Sequence, residues 1–296
     1  MRTTVAQWIA GARPKTLPAA IAPVLVGGAV AYAEIKGTLN FALLGCALLV
    51  AISLQIGVNY SNDYSDGIRG TDDKRVGPIR LVGQKLASPR QVKNAALIAF
   101  GIAGLAGGGM VLISHYLVLI PIGISAIFAA WFYTGGTKPY GYAGFGELFV
   151  FIYFGLVAVI GTSATQSGHI SLMSLLAGSA CGCMATAILV ANNLRDIPGD
   201  SLTNKRTLAV RLGDRSTRKL YVVLLVLPFL INCAIAVISH SALVLIGLIP
   251  MVLAAKPARQ VLRGTTGRDL IPVLAATGKL TLWFGVFLSL GILLGI

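Results

Sequence analysis

Nine apolar stretches dominate this chain, and they leave it few folds to adopt. They run near 16–34, 40–58, 93–113, 116–134, 146–165, 170–191, 218–238, 241–255 and 271–295. A helix needs roughly 20 such residues to cross the hydrocarbon core, and in lipid the backbone is satisfied only inside helices or closed barrels. Charged residues are 11% of the chain, where soluble domains carry about 25%. The expectation is an all-α polytopic membrane protein with nine transmembrane helices, of which 241–255 is the shortest.

The formal charge of +14 would suit a nucleic-acid partner, but the placement of the cations argues against one. Arg2, Arg13 and Lys15 precede the first span, seven basic residues fall in 69–93, Lys138 follows span 4, seven fall in 195–219 and four in 256–268. The alternate connections carry almost none, Lys36 excepted. This asymmetry is the positive-inside pattern. It puts the N-terminus in the cytoplasm and the C-terminus outside, with the basic loops near anionic lipid head groups. The first stretch has no small-residue cleavage site and reads as a span rather than a signal peptide. Cys46, Cys181, Cys183 and Cys233 all fall inside spans and read as small core residues. His115, His169 and His240 map to short outer connections, too dispersed for a metal site. Lys279, inside span 9, is a costly charge with no role assigned to it.

Carboxylates are scarce and grouped. Six of the ten acids are Asp63, Asp66, Asp72, Asp73, Asp196 and Asp200, in or just after Asn59-Tyr-Ser-Asn62-Asp63-Tyr-Ser-Asp66 and Asn192-Asn193-Leu-Arg195-Asp196-Ile-Pro-Gly-Asp200. Each cluster begins at the cytoplasmic end of an even-numbered span and runs into a long basic loop. The four-span offset suggests one domain, 1–296, made of two weakly related four-helix halves (about 16–134 and 146–255) plus a ninth helix, 271–295. Spacings of three or four residues put side chains on one helical face. Two such faces make an oxygen-rich site suited to Mg²⁺, the usual hard cation where phosphates also bind. Asp63, Asp66, Asp196 and Asp200, with Asn59 and Asn192, are the expected metal ligands, and Asn62 can orient its neighbours. Pro198 predicts an imperfect helix that leaves Asp200 on an irregular extension. The plainer alternative is a set of solvated helix ends with ordinary loop charges, which leaves the matched placement of the two clusters unexplained.

Cations nearby would complete a diphosphate site. Lys138, in Tyr133-Thr-Gly-Gly-Thr-Lys138-Pro-Tyr140, and Arg195 are favoured; Arg69, Arg80, Lys205 and Arg206 serve equally as membrane-side anchors. Arg13 and Lys15 either snorkel at the start of span 1 or capture an acidic co-substrate. Glu147 opens span 5 as a helix N-terminal charge or a pocket acid. Ser88-Pro89 reads as a helix start, and Thr207 to Gly213 as an amphipathic turn or two ending at glycine. A bound Mg²⁺ would neutralise a diphosphate leaving group and favour breaking an allylic C–O bond.

At these residues the chain resembles the UbiA superfamily of intramembrane aromatic prenyltransferases over nearly its whole length. The resemblance implies a nine-helix bundle around a central cavity open to the cytoplasmic side, with polyprenyl diphosphate held through Mg²⁺. Arg13 to Pro18, Asn62 to Asp72 with Gly77 to Arg80, and Asn193 to Gly213 look like the menaquinone branch. That branch implies transfer of a polyprenyl group to 1,4-dihydroxy-2-naphthoate, with loss of CO₂ and diphosphate, to give demethylmenaquinone in a bacterial plasma membrane. The first motif departs from the N-x₃-D-x₃-D form of the superfamily, because Gly70 stands at the third place after Asn62 and Asp66. Asn59-x₃-Asp63-x₂-Asp66 fits instead, with Asp72 or Asp73 open as a later carboxylate. Other branches, such as 4-hydroxybenzoate polyprenyltransferase and haem O synthase, stay open. A secondary transporter is disfavoured because transporter coupling sites lie near the bilayer midplane, whereas these carboxylates sit at span ends. Prenyl chain length and oligomeric state have no sequence signal.

Overall fold

The computed structural model describes residues 3–70, 79–203 and 205–295; Asp72, Asp73, Gly77 and Pro78 lie outside them. Each apolar stretch is helical. A short surface helix, α1 (Val5–Ala12), is closed by a reciprocal Thr4–Gln7 capping box. It is followed by α2 (Pro18–Ile35), α3 (Phe41–Ile68), α4 (Pro89–Ser114), α5 (Leu119–Phe132), α6 (Gly146–Ser167), α7 (Leu172–Leu202), α8 (Leu208–Ile238), α9 (Ala242–Leu262) and α10 (Leu270–Gly295).

Among the described residues, eight helices have the length and hydropathy to cross a membrane. The short member is α5 rather than α9. Its 14 residues cover about 21 Å at about 1.5 Å per residue, against a core of about 30 Å. Apolar composition extends to residue 134, but Gly135-Gly136 ends the helical path, and hydropathy does not register that. Conversely, α9 outlasts its apolar run because its basic residues keep helical geometry to Leu262.

The remaining start and stop signals fall where the side chains put them. Ser88 caps α4, accepting from the Gln91 N–H. Thr207 caps α8, and Gly213, at φ +75°, interrupts that helix before the long apolar run resumes. Pro198 does not end α7: the helix continues through it to Leu202. Asp200 therefore stays on the helical stripe of Asn192 and Asp196, and the irregular extension expected there is absent.

Among the described residues, two of the four buried apolar clusters are the largest. One joins α2, α7, α8 and α10 through residues such as Val26, Met184, Tyr221 and Phe284. The other joins α3, α4, α5 and α1 to the loop before α4, around Leu81, Val92 and Phe100. Helices α6 and α7 meet backbone to backbone at Gly155. A Cβ there would lie 2.6 Å from the Gly178 carbonyl oxygen and the Gly182 nitrogen. Small residues permit such approaches in lipid. The same stretch of α6, Ile152–Val157, is π-helical, a distortion frequent near functional sites. Between the two cores runs a cavity of about 960 Å³. Cys181 and Cys183 are buried in α7.

Candidate active site

The polar end of the cavity is built from one stripe on each of two helices. On α3, Gln55, Asn59, Asn62 and Asp66 all line it; their spacings of four, three and four residues keep them on one face. On α7, Asn192, Asp196 and Asp200 line the opposite wall. The two stripes meet at Lys205, whose ammonium lies 3.4 Å from Asp66 Oδ2 and 3.8 Å from Asp200 Oδ1. Arg80 reaches the same Asp66 oxygen at 3.5 Å, and Arg13 lines the cavity beside them.

Asp66 is 2% exposed. Its other oxygen accepts a 2.6 Å hydrogen bond from the Tyr142 hydroxyl. Lys205 sits 4.6 Å above that tyrosine ring, and the Arg69 guanidinium lies 5.4 Å from it. Asp196 is held by Arg195 through a two-pronged contact, 2.7 Å from Nε and 2.8 Å from Nη2. The same Nη2 donates to Asn192 Oδ1 at 2.8 Å, so one guanidinium orients two members of the α7 stripe. Asn59 spends its amide N–H groups on Ala12 O and Thr16 Oγ1, which leaves its oxygen as the group it can offer. Asn62 Oδ1 accepts from the Thr134 hydroxyl at 2.8 Å. Tyr133 lines the cavity. Burial beside Tyr153 pushes the Tyr140 phenol well above its usual range, keeping it a neutral donor to Ala129 O.

Several residues singled out from sequence lie elsewhere. Asp63 is buried but is not on the cavity wall; both its oxygens accept backbone N–H groups of Leu81 and Val82. Lys138, Lys15 and Arg206 are exposed and off that wall. Arg69 instead braces the connection after α5, donating to the carbonyls of Thr134 and Gly136. Arg195 is not on the cavity wall and acts through Asp196 and Asn192. Glu147 is buried and accepts from Asn193 Nδ2 at 2.9 Å, and Asn193 does line the cavity.

Tyr142, Gln55 and Thr16 were not anticipated. Tyr142 stands in Tyr140-Gly-Tyr142, an aromatic pair in a connection otherwise made of small and polar residues, and that was the available signal. Gln55 lay one turn before the cluster, inside an apolar run that hid it.

The donor set is carboxylate and amide oxygen, the chemistry hard divalent cations take. Among the described residues no group of three or more His, Cys, Asp and Glu side chains could cage a metal unaided.

Fold and site together define a polytopic helical membrane protein whose polar, cation-rimmed pocket opens into a long apolar cavity. The profile of the UbiA prenyltransferase family matches residues 20–284, and the chain belongs to that family. It is 52% identical over 92% of both chains to the 1,4-dihydroxy-2-naphthoate octaprenyltransferase of Mycobacterium tuberculosis. It is 35% identical to the protein of the same name from Escherichia coli, over 97% of this chain and 95% of that one. The apo structure of a UbiA homolog from Aeropyrum pernix K1 superposes with a TM-score of 0.68 at 14% identity, covering 95% of this chain and 96% of that one. The UbiA homolog from Archaeoglobus fulgidus bound to GPP and Mg²⁺ superposes at 0.61 and 11% identity, covering 96% and 99%.

Proposed function

We propose that this protein transfers a polyprenyl group from polyprenyl diphosphate to 1,4-dihydroxy-2-naphthoate, releasing CO₂ and diphosphate, as a step of menaquinone biosynthesis. The observation that carries the reading is the meeting of the Asn59/Asn62/Asp66 and Asn192/Asp196/Asp200 stripes at the polar end of one apolar cavity. The identity to the naphthoate octaprenyltransferases supports the acceptor.

Asp66, Asp196 and Asp200, with the Asn59 and Asn192 oxygens, would hold Mg²⁺. When bound, it supplies charge neutralisation to the departing diphosphate. Arg80, Lys205 and Arg13 add fixed positive charge where the leaving oxygens gather; in a water-poor site such preorganised charge counts for more than in solvent. Arg195 keeps the Asp196 carboxylate aimed. Tyr142 fixes the Asp66 rotamer and carries Lys205 above its ring.

The tail lies along the apolar wall of Ala51, Leu54, Ile127, Phe149 and Phe154, away from the water that would quench an allylic cation. The carboxylate-bearing ring carbon attacks that cation. The new C–C bond replaces the C–O bond to diphosphate, the electrons of the lost C–CO₂ bond restore the aromatic ring, and the quinol form of demethylmenaquinone results without net proton transfer.

The reading includes nine crossings, with α5 completing its passage through the turns around it, and two four-helix halves plus α10 in one domain. It also includes a cavity mouth and N-terminus on the cytoplasmic face of a bacterial plasma membrane, with the C-terminus outside.

The test is a purified-protein assay with radiolabelled polyprenyl diphosphate, the naphthoate and Mg²⁺, with and without EDTA. A lipid-soluble product requiring both metal and naphthoate is expected. Product with 4-hydroxybenzoate alone would overturn the acceptor assignment, and product undiminished by EDTA would overturn the role of the carboxylate stripes.

A further inference from the structure

Asp63 sits beside three cavity-lining residues yet turns from the cavity, and its surroundings say why. It lies one turn before Gly67, on the face of α3 adjoining the Asn59/Asn62/Asp66 stripe. Its carboxylate is 1% exposed. Oδ2 accepts the Leu81 N–H at 2.6 Å and Oδ1 the Val82 N–H at 3.1 Å. Gly67 leaves room for the same loop, since a Cβ there would stand 2.5 Å from Val82. Leu81, fully buried, also presses on α1, where a Cβ on Gly11 would lie 2.8 Å from it. The loop then closes on itself. Leu86 and Ala87 both donate to Leu81 O, and Gln84 donates to Arg80 O.

The residue immediately before this doubly held pair is Arg80. It is 5% exposed, lines the cavity and lies 3.5 Å from Asp66. An arginine on an unrestrained loop would lose its rotamer and backbone freedom each time it bound an anion; a clamped one has lost it already.

We infer that Asp63 is a positioning residue: its carboxylate clamps the backbone of Leu81 and Val82, and so delivers Arg80 to the diphosphate at the polar end of the cavity. The inference rests on the proposed reaction only for the identity of that anion. A carboxylate is required because it accepts from two N–H groups at once, whereas an amide offers one acceptor and turns an NH₂ toward the second N–H. The aspartates of the first motif thus divide the labour, Asp66 facing the cavity and Asp63 holding the loop that supplies its cationic partner.

The full chain in lipid nanodiscs tests this with D63N, G67V, R80A and the double variant D63N/R80A. Two quantities are read: affinity for an unreactive thio-analogue of a prenyl diphosphate, and the Mg²⁺ concentration giving half-maximal analogue binding. With a charge-assisted contact displaced, D63N and G67V should each weaken the analogue about tenfold. The Mg²⁺ midpoint should stay within about twofold, and D63N/R80A should bind no worse than R80A, because residues acting through one contact are non-additive. A Mg²⁺ midpoint shifted about tenfold by D63N but not by G67V would make Asp63 a metal ligand and overturn the inference, as would full additivity with R80A. If D63N does not fold, G67V and G67V/R80A give the same cycle. Wild-type protein that binds the analogue but makes no product from the naphthoate would defeat the proposed reaction and leave this inference standing.

Discussion

Replacing Arg195 by lysine is the sharpest probe of how the α7 stripe is organised. The side chain is 1% exposed, and one guanidinium makes three contacts of 2.7–2.8 Å, two to Asp196 and one to Asn192. Lysine keeps the charge but is a point donor that cannot reproduce the fork. Two hydrogen bonds to a charged group, at about 1.5–3 kcal/mol each, set an upper bound of about 6 kcal/mol. The retained charge and an admitted water recover much of it, so about 2 kcal/mol is expected to reach the transition state. That is roughly a thirtyfold loss in kcat/KM. The assay is steady-state turnover with varied polyprenyl diphosphate at saturating naphthoate, alongside a thermal melt. Because the charge stays paired, the melt should move only a few degrees. Activity within about twofold of wild type would show that charge alone, without geometry, suffices at Asp196, and would refute the orienting role.

D66N and D196N should each reduce turnover by about a thousandfold or more while leaving the protein folded, since each removes a carboxylate that would hold the Mg²⁺ neutralising the leaving group; size-exclusion profiles with turnover assays check both halves. Y142F deletes the 2.6 Å bond to Asp66 and should raise KM for the diphosphate about tenfold, measured by initial rates. G155V drives a branched side chain into the α7 backbone and should cost about 1–3 kcal/mol of stability, read as a lowered melting temperature. D63N is expected to differ from D66N by retaining its Mg²⁺ dependence, seen in a metal titration.

Much of this protein is written locally. Nine apolar runs specify the helices because a membrane leaves the backbone no other partner. Ser88, Thr207 and Gly213 mark boundaries through their own hydrogen bonds or φ angle. The second cluster could be read in part: Asn192, Asp196 and Asp200 repeat every four residues and share a face on an unbroken helix, but only the structure shows that the helix runs unbroken through Pro198. The first could not. Asp63 and Asp66 are chemically identical and three residues apart. Only the return of the 79–87 loop onto α3 decides that one meets backbone N–H groups and the other the cavity.

Lys138, the lone cation of its connection, reads from sequence as the better ligand, and Lys205, one of seven basic residues in 195–219, as an anchor. Packing leaves the first in solvent and sets the second across both stripes. Tyr142 had no charge to draw notice, and its hold on Asp66 spans 76 residues of chain. Periodicity and composition thus determine which residues share a face, because those are properties of a few turns of helix. Which face meets which partner depends on contacts between segments distant in sequence, and those exist only once the helices have packed.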